Sequence, residues 1–298
     1  MRIFVTGATG FVGSAIVKEL LDAGHKVLSL ARSASSADQL IAIGAEVHRG
    51  SLDDLESLKR GAELADGVIH TAFIHDFSKF GENCETDRGA IEAMGSILAG
   101  TDKPLIITSG TGLFNLGRLV TEDDQITVGS ASPRKASEEA AAVVAAQGVK
   151  ISIVRLPPSV HDAGDYGFVP LLIALAREKS MSAYIGDGDN RWPAVHRLDA
   201  ARLFRLALEK NVPSIYHAVG EEGLLFREIA EVIGKNLALP VVSKSGEDAA
   251  EYFGWFQHFA SLNSPASSEQ TRKALNWQPT HRGLIADLDS EAYFKRSE

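Results

Sequence analysis

The sequence predicts an α/β fold in which a doubly wound parallel sheet is followed by a smaller C-terminal lobe. Through the first half, short apolar runs typical of strands alternate with segments whose apolar residues recur at helical spacing. Strands and helices that alternate in this way form a parallel sheet with helices on both faces. After Leu156 the alternation stops at Pro157-Pro158, and aromatic residues become frequent. We therefore expect a first domain over residues 1–156 and a lobe over residues 157–298, with residues 198–209 returning to pack on the sheet.

The first half divides into predicted strands and helices. The predicted strands are Arg2–Thr6, Lys26–Ala31, Glu46–Arg49, Gly67–Thr71, Pro104–Ser109 and Lys150–Leu156. The predicted helices lie near Gly10–Ala23, Ala34–Ile43, Asp54–Ala62, Cys84–Ala99 and Arg134–Ala146. We expect Asp53 to cap the third helix, because Glu56 follows it at the capping-box spacing.

A glycine-rich turn joins the first strand to the first helix. Glycine lets the chain turn tightly and approach a pyrophosphate, whose charge then lies on the amides of the helix N-terminus. Strand, glycine turn and helix therefore predict the opening of a Rossmann dinucleotide-binding unit, although the spacing Gly7-x-x-Gly10-x-x-Gly13 also fits a glycine-rich turn in another strand–helix unit. The candidate cofactor-binding residues of this turn are Gly7, Thr9, Gly10, Phe11, Val12 and Gly13.

The end of the second strand indicates which nicotinamide cofactor is bound. An NAD site usually has a carboxylate there for the ribose 2′-hydroxyl, whereas an NADP site has a cation for the 2′-phosphate. Here Arg32 and Ser33 follow the strand, and no carboxylate does. A guanidinium binds a phosphate through two hydrogen bonds, and the serine hydroxyl adds a donor. We therefore favour NADP over NAD; an exposed arginine at a strand end is the alternative.

The composition excludes several classes of function. The formal net charge is −9 and no basic stripe is present, which argues against nucleic-acid binding. No apolar run is long enough to cross a membrane, and the first strand begins too early for a signal peptide. The single cysteine, Cys84, fits a reducing compartment and has no companion for a metal site. We expect a cytoplasmic protein that binds a small-molecule substrate and no metal. The alanine-rich helix over residues 136–146 leaves a homodimer open.

Several segments spread over nearly the whole chain resemble one family. They are Thr6–Gly13, Gly50–Asp53, Val68–Ala72, Val154–Val160 and Arg191–Ala201. They are similar to the TGATGFVG turn, the GDL-x-D segment, the VIHLAA strand and two later segments of the extended or atypical short-chain dehydrogenase/reductase superfamily. That superfamily includes nucleotide-sugar epimerases, NAD-dependent epimerase/dehydratases and 3β-hydroxysteroid dehydrogenase-like proteins. The resemblance implies further cofactor contacts at Ser51, Leu52, Thr71, Ala72, Phe73, Pro157 and Pro158.

The sequence departs from the family at the catalytic positions. The family uses a tyrosine and a lysine four residues later for proton transfer, assisted by a serine or threonine on the loop of the fifth strand. In the matching helix Arg134 replaces the tyrosine and Glu138 replaces the lysine, and none of the five tyrosines has a lysine four residues on. At the position of the family's assisting serine or threonine this sequence has Gly110, with Ser109 and Thr111 as its neighbours.

Other side chains are candidates for the missing chemistry. Arg134 cannot act as an acid near neutral pH, but it can stabilise an oxyanion; an ion pair with Glu138 at i, i+4 is the alternative. His75 or His161 could donate a proton, each oriented by the aspartate that follows it, although a loop histidine is more often merely solvated. The remaining candidates are Ser109 and Thr111 as hydrogen-bond donors and Tyr166, which could fold back towards the nicotinamide.

The interpretation favoured by these observations is an NADP-dependent oxidoreductase that acts on a small carbonyl or alcohol with a non-standard proton donor. The aromatic run Tyr252–Phe259 either lines its pocket or forms the core of the lobe. A non-catalytic NADP(H) sensor is the first alternative, since the tyrosine, lysine and serine positions have all changed. A sugar-nucleotide epimerase or dehydratase ranks last because those reactions also use the tyrosine.

Overall fold

A computed structural model describes residues 1–126 and 132–295. Its strands, in chain order, are β1 (Arg2–Thr6), β2 (Lys26–Ala31), β3 (Glu46–Arg49), β4 (Gly67–His70), β5 (Pro104–Gly110), β6 (Lys150–Leu156), β7 (Ser159–His161), β8 (Ser182–Ile185), β9 (Arg191–His196), β10 (Ile215–His217), β11 (Glu221–Leu225) and β12 (Val241–Lys244). Within these residues the main sheet has seven parallel strands in the order β10-β6-β5-β4-β1-β2-β3. This order confirms the doubly wound parallel sheet.

The helices lie mostly between consecutive strands. They are α1 (Phe11–Asp22), α2 (Ala34–Ala42), α3 (Leu55–Glu63), α4 (Phe80–Leu98), α5 (Ala136–Ala146), α6 (Phe168–Lys179), α7 (Arg197–Lys210), α8 (Phe226–Leu237), α9 (Gly246–Phe253), α10 (Gln257–Ala260), α11 (Glu269–Leu275), α12 (Leu284–Leu288) and α13 (Glu291–Phe294). No helix in the described ranges is both long enough and apolar enough to span a membrane.

Most predicted boundaries agree with the structure, and the exceptions lie near the loops that follow β4 and β5. Helix α4 begins four residues before Cys84, because a 3-10 turn over Phe77–Lys79 leads directly into it. A second 3-10 turn, Pro133–Lys135, precedes α5 and carries Arg134. The cap of α3 was predicted wrongly: Asp54, not Asp53, accepts the Ser57 amide at 2.9 Å.

Two apolar layers hold the helices on the two faces of the sheet. Successive residues of a strand point to opposite faces. Ile3 and Val5 accordingly pack with Phe204 of α7 in one cluster, whereas Phe4 packs with Met94 of α4 in the other. Helix α7 packs against α1, and β10 forms one edge of the sheet. Helix α7 and strand β10 therefore belong with the main sheet, although they follow residue 156. The boundary of the lobe stays a prediction.

The remaining elements form a lobe with small sheets of its own. Strands β11, β9 and β7 form one sheet, and β12 pairs with β8 in another. Its core includes Trp192, Phe226, Phe253 and Phe256. Most of the aromatic run is therefore core, but Trp255 is 58% exposed.

Candidate functional site

The glycine turn has a backbone that side chains would obstruct. Gly7 has φ +72°, and a Cβ atom there would lie 2.7 Å from the Ala72 nitrogen and 2.8 Å from the Thr71 hydroxyl. A Cβ on Gly13 would collide with the carbonyl of Gly7. The first turn of α1 then begins at Gly10 without a side-chain cap. The amides of Val12 and Gly13 make no hydrogen bond within the described residues, so the turn fits a dinucleotide pyrophosphate.

The other residues predicted to bind the cofactor at this turn lie close to it. Thr9 is exposed, and Phe11 and Val12 are half-buried at the start of α1. The Tyr166 hydroxyl accepts the Phe11 amide at 2.9 Å, and the side chain is otherwise 68% exposed. The structure thus places Tyr166 at the pyrophosphate turn, against the hypothesis that it reaches the nicotinamide. Its hydroxyl must leave this amide before a phosphate oxygen can use it.

Two arginines lie at the ends of the neighbouring strands β2 and β3. Arg32 is exposed, and Arg49 at the end of β3 donates to the Ser33 carbonyl at 2.5 Å. The Ser33 hydroxyl accepts the Ser36 amide at 3.0 Å and donates to the Ser36 hydroxyl at 2.9 Å. In the structure Ser33 is the N-cap of α2, and its hydroxyl is already bonded to Ser36. This differs from the prediction that Ser33 donates to a phosphate. Sequence reasoning missed Arg49, although its place at the end of the predicted strand Glu46–Arg49 was available as a signal. In the structure it lies opposite Ala31.

The segments implied by the family resemblance lie around this turn. Leu52 is buried and Ser51 is half-buried after β3, beside an open groove. The groove is lined by Leu52, Asp53, Leu55, Gly81, Glu82, Glu85, Thr86 and Gly89. After β4, the Thr71 hydroxyl donates to the Thr6 carbonyl at 2.8 Å, and Ala72 and Phe73 follow half-buried. Pro157 is buried and Pro158 is half-buried directly after β6.

Arg134 lies in a hydrogen-bonded chain that reaches the glycine turn. Its Nη1 donates to Asp87 Oδ2 at 2.7 Å, and its Nη2 donates to the Thr108 carbonyl at 3.1 Å. The other Asp87 oxygen lies 2.9 Å from His70 Nε2, and His70 Nδ1 lies 2.7 Å from Thr6 Oγ1. The predicted i, i+4 pair with Glu138 is therefore wrong, because Asp87 is the partner. Sequence reasoning missed His70 and Asp87, which lie far from Arg134 along the chain.

The charge of Asp87 is well compensated. Burial alone would raise the pKa of this carboxyl, but the hydrogen bond from His70 and the charge of Arg134 hold its pKa far below the usual range. Asp87 is therefore ionised at neutral pH and fixes the guanidinium. The guanidinium also lies over the Phe73 ring, 4.2 Å from its centroid.

Glu138 is bound on the other side of α5. Arg155, which is fully buried, donates to both Glu138 oxygens at 2.8 and 2.7 Å. Ser109 donates to the same carboxylate at 2.7 Å, which removes its hydroxyl from the expected catalytic role. The side chain of Thr111 is fully buried and its hydroxyl has no partner among the described residues, so its role as a hydrogen-bond donor stays a prediction.

The two candidate histidines have different surroundings. His75 is exposed beside Phe73, with ring centroids 5.4 Å apart. Desolvation by the groups packed around the ring and the charge of Arg134 both lower its pKa. Asp76 does not orient it as proposed, because that carboxylate accepts the amide and hydroxyl of Ser78 at 3.0 and 2.6 Å.

His161 is buried and its proposed pairing with Asp162 is wrong. Its Nδ1 lies 3.0 Å from Asp287 Oδ2, while Asp162 accepts Arg197 Nε at 2.8 Å. Ligand atoms of Asp162, His196 and Asp287 lie within 4.8 Å of one another. Arg197 and His161 already contact those carboxylates, so the group is a network of ion pairs and not a favourable cation site.

Comparisons with known proteins identify the family of the chain. The model of a family described as NAD(P)H-binding matches residues 7–171. A protein of Schizosaccharomyces pombe without an assigned function is 53% identical over 296 residues, covering 99% of this chain and all of that protein. The 2-alkyl-3-oxoalkanoate reductase of Stenotrophomonas maltophilia is 26% identical over 263 residues, covering 82% of this chain and 78% of that protein.

The solved structures support the same fold. UDP-glucose 4-epimerase of Thermotoga maritima is similar with a TM-score of 0.77 at 19% identity, covering 99% of this chain and 98% of that one. The glycine turn, the sheet order and the family match agree. The chain belongs to the NAD(P)H-binding family, and its relatives and structural neighbours lie in the extended short-chain dehydrogenase/reductase superfamily.

Proposed function

We propose that this protein is an NADP-dependent oxidoreductase in which Arg134 takes the place of the family's tyrosine. The observation that carries the proposal is the position of its guanidinium. Asp87 and the Thr108 carbonyl hold it at the carboxyl edge of the sheet, beside Phe73 and close to the glycine turn. Open α/β sheets bind their ligands at this edge.

The proposed chemistry divides the work of the tyrosine between two side chains. When bound, the nicotinamide supplies the hydride that attacks a carbonyl carbon. Arg134 stabilises the negative charge on the carbonyl oxygen, since its Nε–H and one Nη2–H make no hydrogen bond within the described residues. It cannot supply the proton. The ring of His75, in its protonated form, transfers a proton to that oxygen and completes the alcohol.

Two alternatives remain distinct from this proposal. An NADP(H) sensor would keep the glycine turn and bind cofactor without turnover. An epimerase or dehydratase is supported by structural relatives such as UDP-glucose 4-epimerase. It requires a residue that can exchange a proton in both directions, and Arg134 cannot. The similarity to a 3-oxo acid reductase supports carbonyl reduction.

The deciding experiment is NADPH oxidation by the purified protein with a panel of aldehydes and ketones, followed at the nicotinamide absorbance. The proposal expects turnover of at least one carbonyl class and none with buffer alone. Tight NADPH binding, measured by calorimetry, without turnover across the panel would favour the sensor. Turnover of a sugar nucleotide with no net change in NADPH would favour the epimerase.

Cofactor selection is the first consequence that can be tested. We expect the double substitution Arg32→Ala and Arg49→Ala to weaken NADP+ binding by at least about 10-fold, because each guanidinium contributes charge-assisted hydrogen bonds to a phosphate. NAD+ binding should change less than about 2-fold, since NAD+ lacks the 2′-phosphate. Calorimetric titration with both cofactors measures the two constants, and equal losses for both would contradict the assignment.

The proton donor predicts a direction of pH dependence. The pKa of His75 lies below its ordinary value, so the protonated donor is abundant only at acidic pH. We expect kcat/KM for carbonyl reduction to rise as pH falls through this pKa, and that for alcohol oxidation to reach its plateau above it. His75→Gln should abolish this dependence of kcat/KM on pH. An unchanged profile in the variant would exclude His75 as the proton donor.

A further inference from the structure

Aromatic side chains from separate segments meet where the loop after β4 contacts the lobe. We call Phe77, Phe168, Trp255 and Phe259 the aromatic belt. Phe77 and Trp255 stack with centroids 5.1 Å apart and planes inclined by 25°. Phe77 meets Phe259 edge-on at 5.6 Å, and Phe168 lies 4.8 Å from Phe259. The belt therefore joins the site loop to the lobe through ring contacts.

The belt keeps part of its surface open. Trp255 is 58% exposed, whereas Trp192 and Trp277 are fully buried. Its partners in the belt are each only half-buried. Single exposed apolar residues are common, but a contiguous partly open patch beside polar groups is typical of a ligand groove.

The belt leads to the polar end of the candidate site. Phe80 stacks on Phe77 at 5.7 Å and meets Phe73 at 6.0 Å. Phe73 in turn supports the Arg134 guanidinium. A line of contacting rings thus connects Trp255 with the Arg134 guanidinium, a positive hydrogen-bond donor, which fits an apolar molecule with an oxygen at one end.

We propose that the aromatic belt is the substrate subsite and that the substrates are aromatic carbonyl compounds, with the carbonyl oxygen at Arg134 and the ring on the belt. This inference rests on the proposed reductase function. Aromatic rings at centroid distances of about 4.5–7 Å attract one another beyond the effect of buried area. A saturated ring of equal size buries a similar area without that attraction. Discrimination between the two ring types is therefore the signature of the subsite.

Substitutions at Trp255 test this signature. Trp255→Leu removes the ring but keeps an apolar side chain, and Trp255→Phe is the matched control that keeps a ring. The probes are acetophenone and cyclohexyl methyl ketone, with binding to the NADP+-loaded protein measured by calorimetry and turnover measured with NADPH. We expect Trp255→Leu to lower acetophenone affinity and kcat/KM by about 2- to 12-fold. The loss for the cyclohexyl ketone should be smaller, and Trp255→Phe should retain more of the acetophenone affinity than Trp255→Leu.

The outcomes separate the subsite from the reductase function. Equal losses for both ketones in Trp255→Leu, or no loss for either, would overturn the subsite even if both are reduced. Trp255-dependent acetophenone binding without any turnover would support the subsite and reject the reductase. Thermal stability should fall only slightly in Trp255→Leu, which loses the ring contact with Phe77, and less in Trp255→Phe, because the indole is 58% exposed.

Discussion

Replacing Glu138 with alanine is expected to destabilise the protein by about 3–5 kcal/mol, because the change leaves a charged guanidinium buried without its partner. Arg155 has no exposed surface, and Glu138 is 8% exposed. The lost carboxylate also accepts the Ser109 hydroxyl at 2.7 Å, so a second buried donor loses its partner. Urea unfolding of the wild-type protein and the variant measures the difference in the free energy of unfolding.

The neighbouring residue provides a matched control. Glu139 pairs with Arg88 at 2.5 Å, but its side chain is 44% exposed. Because solvent screens such a pair, Glu139→Ala should cost less than about 1 kcal/mol. If Glu138→Ala does not fold, the double variant Glu138→Met/Arg155→Met should recover much of the loss, since removing both charges leaves no unpaired ion. Equal effects of the two single substitutions would contradict the buried-pair interpretation.

The parts of the fold that the sequence predicted well depend on local patterns. Strand β1, the glycine turn and α1 follow one another within 21 residues, so apolar spacing and glycine positions were sufficient. The candidate site depends instead on contacts between distant positions. Arg134 and Asp87 are 47 residues apart, and Tyr166 and Phe11 are 155 apart.

The wrong pairing predicted for Arg134 and Glu138 has a physical reason. An arginine four residues before a glutamate predicts a helical ion pair. However, Arg134 lies in a 3-10 turn before α5, and Glu138 faces β6, where Arg155 binds it. Which strand or helix faces each side chain is a property of the assembled sheet. Sequence periodicity could not identify these partners.

Arg134→Met is expected to lower kcat for carbonyl reduction by about 10²–10³-fold, the effect of removing a donor that stabilises a developing oxyanion. Cofactor binding should change little, because the pyrophosphate amides lie at the glycine turn. Asp87 keeps hydrogen bonds to His70 and Ser137 but loses the guanidinium, so the variant should be less stable and still folded, and thermal unfolding checks this. Lys135→Met is the matched control. Lys135 follows Arg134 in the chain, and its ammonium pairs with exposed Glu139 at 3.7 Å.

Chemical rescue distinguishes a role at the reacting oxygen from a structural one. In Arg134→Ala, added guanidinium at concentrations below those that unfold the protein should restore part of kcat, because the ion can enter the space that the side chain leaves. Urea at the same concentration has a similar shape and no charge, and should not rescue. Arg134→Lys should retain intermediate activity, since it keeps the charge but loses the planar arrangement of donors. Full activity of Arg134→Met would show that the oxyanion is stabilised elsewhere, and it would remove the observation on which the proposed function depends.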